Sequence, residues 1–315
     1  MRKVRGIAKT LRPHQWVKNL FVAAPLVFGK KLSDPHAVAC AALAVAAFCA
    51  LSSAVYALND VLDIAKDRAH PVKRRRPVAA GILSPRFAMG MALGLALVAL
   101  AGAVAIDRRF GAVAAAYLVL NVVYSLHIKE IPFLDVITIA AGFLLRVLGG
   151  SFAADVAPSP WLLACTGLLA AFLGFGKRAH ELAVAIEVAR TNGDGNGNGD
   201  GHADAGGNGH ILGATRRVLQ RYRMSHLRAV LWLLGAGTTL AYIFYTLSAH
   251  TVSFFGTERM LWTAPFCAFG IGRFLLLVTQ HARGDSPTEA MLKDWPFMAN
   301  LALWAGAVLA IIYFR

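Results

Sequence analysis

Long apolar runs separated by short charged segments cover most of this 315-residue chain. A helix needs about 20 residues to cross ~30 Å of hydrocarbon. Runs of roughly that size occur at 16–33, 38–59, 86–106, 110–127, 133–153, 159–176, 228–248, 258–279 and 297–314. The pattern predicts an all-α polytopic membrane protein with about nine transmembrane helices.

The composition supports this prediction, because 57% of the residues are hydrophobic, only 16% are charged and the mean hydropathy is +0.56. A soluble domain of this size needs far less apolar surface. The four cysteines lie inside apolar runs without metal-ligand spacing, so we interpret them as small buried side chains. No small-residue cleavage site follows the first run, so we expect residues 1–315 to form one membrane domain that keeps its first helix.

The basic residues are distributed unevenly between the two ends of the predicted helices. With the N-terminus inside, 25 of the 32 Lys and Arg fall on one side and 6 on the other, while Arg146 lies within a helix. This bias places the N-terminus and the basic side in the cytoplasm, which indicates a multi-pass protein of the plasma (inner) membrane. The basic residues occupy short loops without a recognition element, so we expect no nucleic-acid partner.

A low-complexity stretch interrupts the pattern after the sixth predicted helix. Residues 191–210 consist mainly of Gly, Asn and Asp and have no apolar periodicity. Such a composition is typical of a flexible loop. We therefore predict a cytoplasmic insertion that takes no part in chemistry.

The segment "NDVLDIAKDRAHPVKRRRPVAAG" (59–81) carries the strongest chemical signal. Asn59, Asp63 and Asp67 are spaced four residues apart, and Asp60 lies three residues before Asp63, so a helix would place all four on one face. Carboxylates at the end of a membrane helix are costly unless a cation neutralises them. Mg²⁺ is the natural cation, because it is commonly shared between one or two carboxylates and substrate phosphates. We therefore predict a catalytic Mg²⁺ site at these four residues.

Basic side chains of the same segment suit the remaining phosphate oxygens. They are Arg68, Lys73, Arg74 and Arg75. The alternative is that the acids merely neutralise the adjacent basic run in a solvated loop.

The NDxxDxxxD pattern after a membrane helix resembles the UbiA superfamily of intramembrane prenyltransferases. The resemblance implies an all-helical fold around a central lipid-open cavity. It covers most of the chain, but where quinone- and haem-forming members carry a second acidic motif, this chain has "GFGKRAHEL" with Lys177, Arg178 and Glu181. That replacement is similar to the decaprenyl-phosphate phosphoribosyltransferase subgroup, which moves 5-phosphoribose from phosphoribosyl diphosphate (PRPP) to a polyprenyl phosphate.

Five further stretches carry the resemblance to this subgroup. They are "LRPHQWVKN" (11–19), "DRAHPVKRRRP" (67–77), "YSLHIKEIPFLDV" (124–136), "GFLLR" (142–146), and the segment from "GRFLLL" to "KDWP" (272–296). The resemblance implies that Lys177 and Arg178 bind substrate phosphates, with Glu181 either orienting them or contacting the ribose. It also implies that the product, a 5-phosphoribosyl lipid, is a precursor of arabinose donors for cell-wall polymers.

Several other polar residues near the predicted cytoplasmic ends are candidates for substrate binding. Asp135 and Arg146 are eleven residues apart on one helix face, and a buried arginine needs an anion or carbonyls, so a substrate contact and a structural pairing both stay open. Tyr124 and Lys129 close the fourth helix, and Lys129 either binds substrate or only sets the topology. Lys18 and Asn19 either meet a phosphate or belong to an interfacial anchor around Trp16.

Two rival functions use the same pattern. A UbiA-type transferase could move a polyprenyl group from its diphosphate to an aromatic acceptor, and the missing second acidic motif argues against this. A non-enzymatic lipid-phosphate transporter would need internal repeats, which the sequence does not show. The chain length of the lipid, the number of Mg²⁺ ions and the formation of a homo-oligomer stay open.

Overall fold

The computed structural model describes residues 2–69, 72–194, 222–280 and 287–314. The α-helices in these ranges are α1 (Arg2–Leu11), α2 (Ala24–Phe28), α3 (Pro35–Leu62), α4 (Ile64–Ala69), α5 (Pro85–Ile106), α6 (Arg108–Leu126), α7 (Leu134–Ala153), α8 (Pro160–Asp194), α9 (Met224–Leu247), α10 (Ala249–Phe255), α11 (Ala264–Gln280), α12 (Pro287–Lys293) and α13 (Trp295–Tyr313). Short 3-10 helices cover Pro13–Ala23, Lys73–Arg75, Ile128–Glu130 and Arg259–Thr263. These ranges contain no β-strand, and the predicted all-α class is confirmed.

Within the described ranges, eight helices are long and apolar enough to cross a membrane. They are α3, α5, α6, α7, α8 as far as Glu187, α9, the Arg259–Val278 segment and α13. The protein is therefore a multi-pass membrane protein, but the predicted count of nine is not confirmed. Of the predicted insertion at 191–210, residues 191–194 extend α8, and the rest lies outside the described residues.

The first predicted span, 16–33, differs from the prediction because it is not one α-helix. Residues 16–28 belong to the 3-10 helix Pro13–Ala23 and to the short helix α2, and residues 29–33 form the turns before α3. This segment runs antiparallel to α3, since Arg12 contacts Asp60 at one end and Leu26 packs with Ala41 at the other. A 3-10 helix rises ~2.0 Å per residue, compared with ~1.5 Å in an α-helix. The segment therefore needs fewer residues than an α-helix would need to run along α3.

A short polar residue followed directly by proline begins three of the long helices, α3, α5 and α8. Asp34 caps α3 by accepting hydrogen bonds from the backbone N–H groups of His36 and Ala37, at 3.0 and 3.2 Å. The bond from Ala37 lowers the pKa of the Asp34 carboxyl. Ser84 caps α5 in the same way, and in both helices the next residue is proline, whose missing N–H costs nothing in the first turn. These local contacts explain why α3 begins at Pro35 and α5 begins at Pro85.

The chain divides into two compact units, and α7 and α8 each contribute residues to both. The first unit comprises residues 1–126 and 141–163. Its core contains Phe48, Phe110 and Tyr117, whose rings contact one another edge-on or tilted. An added Cβ at Gly150 would lie 1.8 Å from the Val22 carbonyl oxygen, so only glycine allows the 3-10 segment to pack this closely on α7.

The second unit comprises residues 127–140 and 164–315. Its core is built around Val136, Phe172, Leu231 and Phe274, which are nearly inaccessible to solvent. The beginning of α7 therefore packs with α8, α9 and α11 inside this unit. A single domain over 1–315 stays a prediction.

Candidate functional site

The acidic segment keeps the helical register that its spacing predicts. Asn59 and Asp60 lie in the last turn of α3, Asp63 lies at the break before α4, and Asp67 lies within α4. The backbone N–H of Asp63 donates to the Asn59 carbonyl at 2.9 Å, and that of Asp67 donates to the Asp63 carbonyl at 2.8 Å. The four-residue bonding pattern thus continues through the break, and the side chains stay near one face.

Two of the four predicted ligands converge on one cation. Asp60 and Asp67 are 1% and 3% exposed, and Arg76 lies between them. Its Nη1 atom is 2.7 Å from Asp67 Oδ2 and 3.5 Å from Asp60 Oδ1. The buried carboxylates therefore compensate a positive charge, as burial requires.

Arg12 supplies a second positive charge to Asp60. Its Nη2 donates to Asp60 Oδ1 at 2.6 Å, and its guanidinium lies over the ring of Tyr56. Arg12 has a φ of 52°, which is unfavourable for a residue with a side chain and is often found at functional sites. This left-handed junction joins α1 to the 3-10 helix.

Arg12 and Arg76 were not predicted as site residues. Arg76 stands in a run of four consecutive basic residues, and nothing in the local pattern singles it out. Of the predicted phosphate ligands in this run, Arg74 and Arg75 are exposed and Lys73 is half-buried. Arg68 donates from Nε to the Ala79 carbonyl at 3.2 Å, so it ties the basic loop back to α4.

Arg146 lies buried in the first unit, 7% exposed, and its bonds all go to neutral groups. Nε donates to Asn19 Oδ1 at 2.8 Å, Nη1 to the Gly142 carbonyl at 3.0 Å and Nη2 to the Tyr117 hydroxyl at 2.7 Å. No carboxylate of the described residues forms an ion pair with it, so its charge is solvated but not cancelled.

Asn19 is fully buried, and its side chain bonds to Arg146 instead of facing solvent. Its amide nitrogen donates to Cys49 Sγ and Ser52 Oγ, both at 3.2 Å, while its oxygen accepts from Arg146. The amide is thus occupied at both ends. The remaining candidates of this unit, Lys18 and Tyr124, are half-buried.

The second unit holds a buried ion pair between Asp135 and Arg178. Both side chains are fully buried, and Arg178 Nε lies 2.6 Å from Asp135 Oδ2, close enough for an ion pair although the N–H is not aligned as in a hydrogen bond. Arg178 Nη1 also pairs with Glu181 one turn later on α8. Arg178 is therefore enclosed by two carboxylates, and its predicted contact with substrate phosphate stays a prediction.

Lys177 has the opposite environment although it is the adjacent residue. Its side chain is 46% exposed, and its Nζ lies 4.0 Å from Glu181 Oε1. The predicted alignment of Glu181 with both cations is thus present in the structure. Lys129 in the 3-10 helix Ile128–Glu130 is half-buried.

Tyr222 connects the Asp135 pair to the turn before α7. Its hydroxyl accepts from the Phe133 backbone N–H at 2.7 Å and donates to Asp135 Oδ1 at 3.2 Å. Phe133 has a φ of 64°, so this bond stabilises a strained turn. Burial raises the pKa of the Tyr222 hydroxyl to about 12, which keeps it a donor at neutral pH. No pattern in the sequence around Tyr222 marks this residue as part of the site.

Replacing Tyr222 by phenylalanine is expected to lower the free energy of unfolding by about 1–3 kcal/mol, because a buried N–H and a carboxylate each lose a partner. The measurement is thermal unfolding of the purified protein in detergent. Tyr56→Phe is the matched control, since the Tyr56 hydroxyl forms no hydrogen bond with any of the described residues and its ring remains available to Arg12. Equal stability of the two variants would show that the hydroxyl of Tyr222 does not hold this turn.

The oxygen donors of the acidic segment fit Mg²⁺ in kind. Besides Asp60 and Asp67, Asn59 offers a buried Oδ1 that accepts no hydrogen bond. Among the described residues, no three His, Cys, Asp or Glu side chains form a metal-binding group, so Asp63 does not complete a three-carboxylate cluster. Mg²⁺ needs only one or two carboxylates when substrate phosphates supply further oxygens. The four-residue metal site therefore stays a prediction, with Asn59, Asp60 and Asp67 as its best-placed members.

Comparison with known proteins assigns the family. The sequence pattern of the UbiA prenyltransferase family matches residues 20–184, which is more than half of the chain. The chain belongs to the UbiA prenyltransferase family. A solved UbiA homolog from Archaeoglobus fulgidus bound to DMAPP and Mg²⁺ aligns over 98% of this chain and 99% of its own, with a TM-score of 0.68 and 18% identity. At that identity the likeness shows the shared UbiA fold.

Two curated relatives, which match this chain over nearly its whole length, carry the same enzyme name. The decaprenyl-phosphate phosphoribosyltransferase of Mycolicibacterium smegmatis is 31% identical over 99% of this chain and 93% of its own. The enzyme of the same name from Corynebacterium glutamicum is 29% identical over 98% of this chain and 87% of its own. The UbiA protein described here is therefore a transferase enzyme of the membrane.

Proposed function

We propose that this enzyme transfers 5-phosphoribose from PRPP to a polyprenyl phosphate such as decaprenyl phosphate. The observation that carries the choice of donor is the exposed Lys177, which stands where the resemblance to quinone- and haem-forming UbiA enzymes implies a second acidic motif. A donor with a diphosphate and a 5-phosphate, used with a phosphate acceptor, brings more negative charge than a prenyl diphosphate and an aromatic ring. A basic side chain binds this additional negative charge better than an acidic one would. The name of the curated relatives supports the same choice.

The proposed reaction exchanges one C–O bond for another. The bond between ribose C1 and the diphosphate breaks, an oxygen of the lipid phosphate bonds to C1, and diphosphate leaves. A phosphate oxygen is already ionised at neutral pH, so no general base is needed. Positioning and electrostatic stabilisation then supply most of the rate enhancement.

In the first unit, Asn59, Asp60 and Asp67 would hold Mg²⁺, with Asp63 as a further ligand. When bound, Mg²⁺ would neutralise the leaving diphosphate. Arg76 balances the carboxylates, and the exposed Arg74 and Arg75 are available for phosphate oxygens together with Lys73.

Arg146 would attract an anionic group, because its bonded partners are neutral and its charge is therefore uncancelled. Asn19 and Tyr117 orient its guanidinium. In this proposal Asn19 positions Arg146 and does not itself bind phosphate. Lys18, Tyr124 and Lys129 stay candidates for substrate contact.

In the second unit, Lys177 would contact substrate phosphate, and Arg178 would hold α8 in place against Asp135. Glu181 orients both cations. The charge asymmetry of the loops supports an active site on the cytoplasmic side of the plasma membrane. The product would be a 5-phosphoribosyl lipid, from which arabinose donors for cell-wall polymers can be made.

The proposal predicts that Lys177→Ala weakens the use of PRPP. Loss of a charge-assisted contact to phosphate costs about 1.5–3 kcal/mol, which corresponds to an increase of about 10- to 150-fold in KM for PRPP. Lys177→Arg is the control, since it keeps the charge and should stay much closer to the wild type. Steady-state kinetics with PRPP and decaprenyl phosphate varied separately provide the measurement.

Two outcomes would contradict the proposal. Unchanged PRPP kinetics in Lys177→Ala would remove Lys177 from the donor site. Transfer of a prenyl group from its diphosphate to an aromatic acid by the wild-type enzyme, without use of PRPP, would favour the other UbiA reaction.

A further inference from the structure

A groove lies between α9 and α11 in the second unit, apart from every residue assigned to the reaction. Its volume is about 470 Å³, within the range of ~300–1,000 Å³ that is typical of small-ligand sites. Its walls are mostly apolar, and Gly272 leaves open space along α11. Trp232, Phe269 and Leu276 line it with exposed fractions of 67%, 49% and 45%. Both helices span the membrane, so lipid chains can enter the groove from the bilayer.

Two arginines line this groove, and only one of them carries an uncompensated charge. Arg273 pairs with both carboxylate oxygens of Asp294, with Nε–Oδ1 at 3.1 Å and Nη2–Oδ2 at 2.7 Å. Arg228 is exposed, and within the described part of the chain no carboxylate forms an ion pair with it. Counted over the described residues, the groove therefore has a net charge of one positive unit beside an apolar wall.

The position of Arg228 matches the depth of lipid headgroups. It lies four residues after the start of α9, and Trp232 lies one turn further along the same helix. Tryptophan is enriched at the membrane–water interface, where its ring contacts chains and its N–H contacts polar groups. A phosphate bound to Arg228 would thus have its acyl chains directed toward Trp232.

We propose that this groove binds an anionic glycerophospholipid of the phosphatidylglycerol type. Arg228 would donate to the phosphodiester, and one acyl chain would lie along Trp232, Phe269 and Leu276. A phosphodiester carries one negative charge and matches the single uncompensated cation. A polyprenyl phosphate is a phosphomonoester with up to two negative charges, and it matches this groove less well. The bound lipid is therefore a component of the bilayer and not the proposed acceptor.

The test uses the full-length protein, purified and stripped of lipid in detergent. Native mass spectrometry measures the binding of phosphatidylglycerol and of phosphatidylcholine with the same acyl chains. We expect phosphatidylglycerol to bind the wild type more tightly, and Arg228→Gln to weaken that binding about tenfold or more while binding of phosphatidylcholine stays the same. Arg223→Gln is the matched control, because Arg223 is an exposed arginine just before α9 that does not line the groove.

Thermal unfolding gives a second measurement, since a ligand that binds the folded state raises its unfolding temperature. Phosphatidylglycerol should raise this temperature more in wild type and Arg223→Gln than in Arg228→Gln. Equal phosphatidylglycerol binding by wild type and Arg228→Gln would overturn the proposal. Displacement of bound phosphatidylglycerol by an equal concentration of decaprenyl phosphate would also overturn it, because the groove would then hold the acceptor lipid. Neither result depends on the transfer reaction, so failure here and failure of the proposed function are distinguishable.

Discussion

Replacing Asp67 by asparagine is expected to lower transferase turnover by about 10²–10³-fold, the usual cost of removing one group that stabilises developing charge. Asp67 is almost fully buried, and its Oδ2 lies 2.7 Å from Arg76 Nη1. Asparagine keeps the size of the side chain but removes the negative charge that Mg²⁺ and Arg76 both require. Insertion into the membrane should not change, because Asp67 lies in the short helix α4, outside the span-length helices.

The measurement is the initial rate of transfer from labelled PRPP to decaprenyl phosphate over a range of Mg²⁺ concentrations. Asp34→Asn is the matched control, since Asp34 caps α3 at an exposed position and asparagine caps helices equally well. A raised Mg²⁺ requirement in Asp67→Asn would support a metal ligand. Near-normal turnover of Asp67→Asn at saturating Mg²⁺ would remove Asp67 from the metal site.

The Asp63→Asn variant tests whether the metal site includes all four predicted ligands or only Asn59, Asp60 and Asp67. The spacing of the acidic residues predicts that Asp63 and Asp67 contribute equally, whereas the described residues contain no cluster of three carboxylates. A smaller effect of Asp63→Asn than of Asp67→Asn would assign Asp63 a supporting role. Equal losses of turnover in the two variants would indicate that Asp63 becomes a metal ligand when substrate and Mg²⁺ bind.

Replacing Arg178 by methionine is expected to lower the free energy of unfolding by about 3–5 kcal/mol, because it leaves Asp135 charged, buried and without its ion-pair partner. Chemical or thermal unfolding in detergent micelles measures this loss. The double variant Arg178→Met with Asp135→Leu should recover most of the stability, since apolar residues can replace a buried pair at little cost. Lys177→Met is the control and should change stability by no more than about 0.5 kcal/mol, because its side chain is largely exposed.

The opposite result would return Arg178 to the substrate site. If Arg178→Met kept the wild-type stability and instead raised KM for PRPP, the guanidinium would have to reach the donor. The double variant distinguishes these cases, because it restores folding but cannot restore a phosphate contact.

The sequence by itself determined the features that depend on contact with the bilayer or on neighbouring residues. Apolar runs near 20 residues predicted span-length helices, because a crossing segment must keep its backbone hydrogen bonds inside the helix. The four-residue spacing of Asn59, Asp63 and Asp67 was also sufficient to place them near one face.

The sequence could not predict the pitch of the first segment. Apolar residues are compatible with both α and 3-10 helices, and only the packing of Val22 and Gly150 shows how closely the segment approaches α7. The prediction of one more α-helical span was therefore wrong in its geometry, although the segment still runs the length of α3.

The tertiary structure alone decided which charged residues are buried in pairs and which remain accessible. Lys177 and Arg178 are adjacent, yet one is largely exposed and the other is enclosed by Asp135 and Glu181. An α-helix turns about 100° per residue, so neighbours face different directions. Spacing shows which side chains share a face, but the packing of other helices decides which face is inside. Arg76 is selected in the same way from its basic run, because the packing brings its side chain to both Asp60 and Asp67.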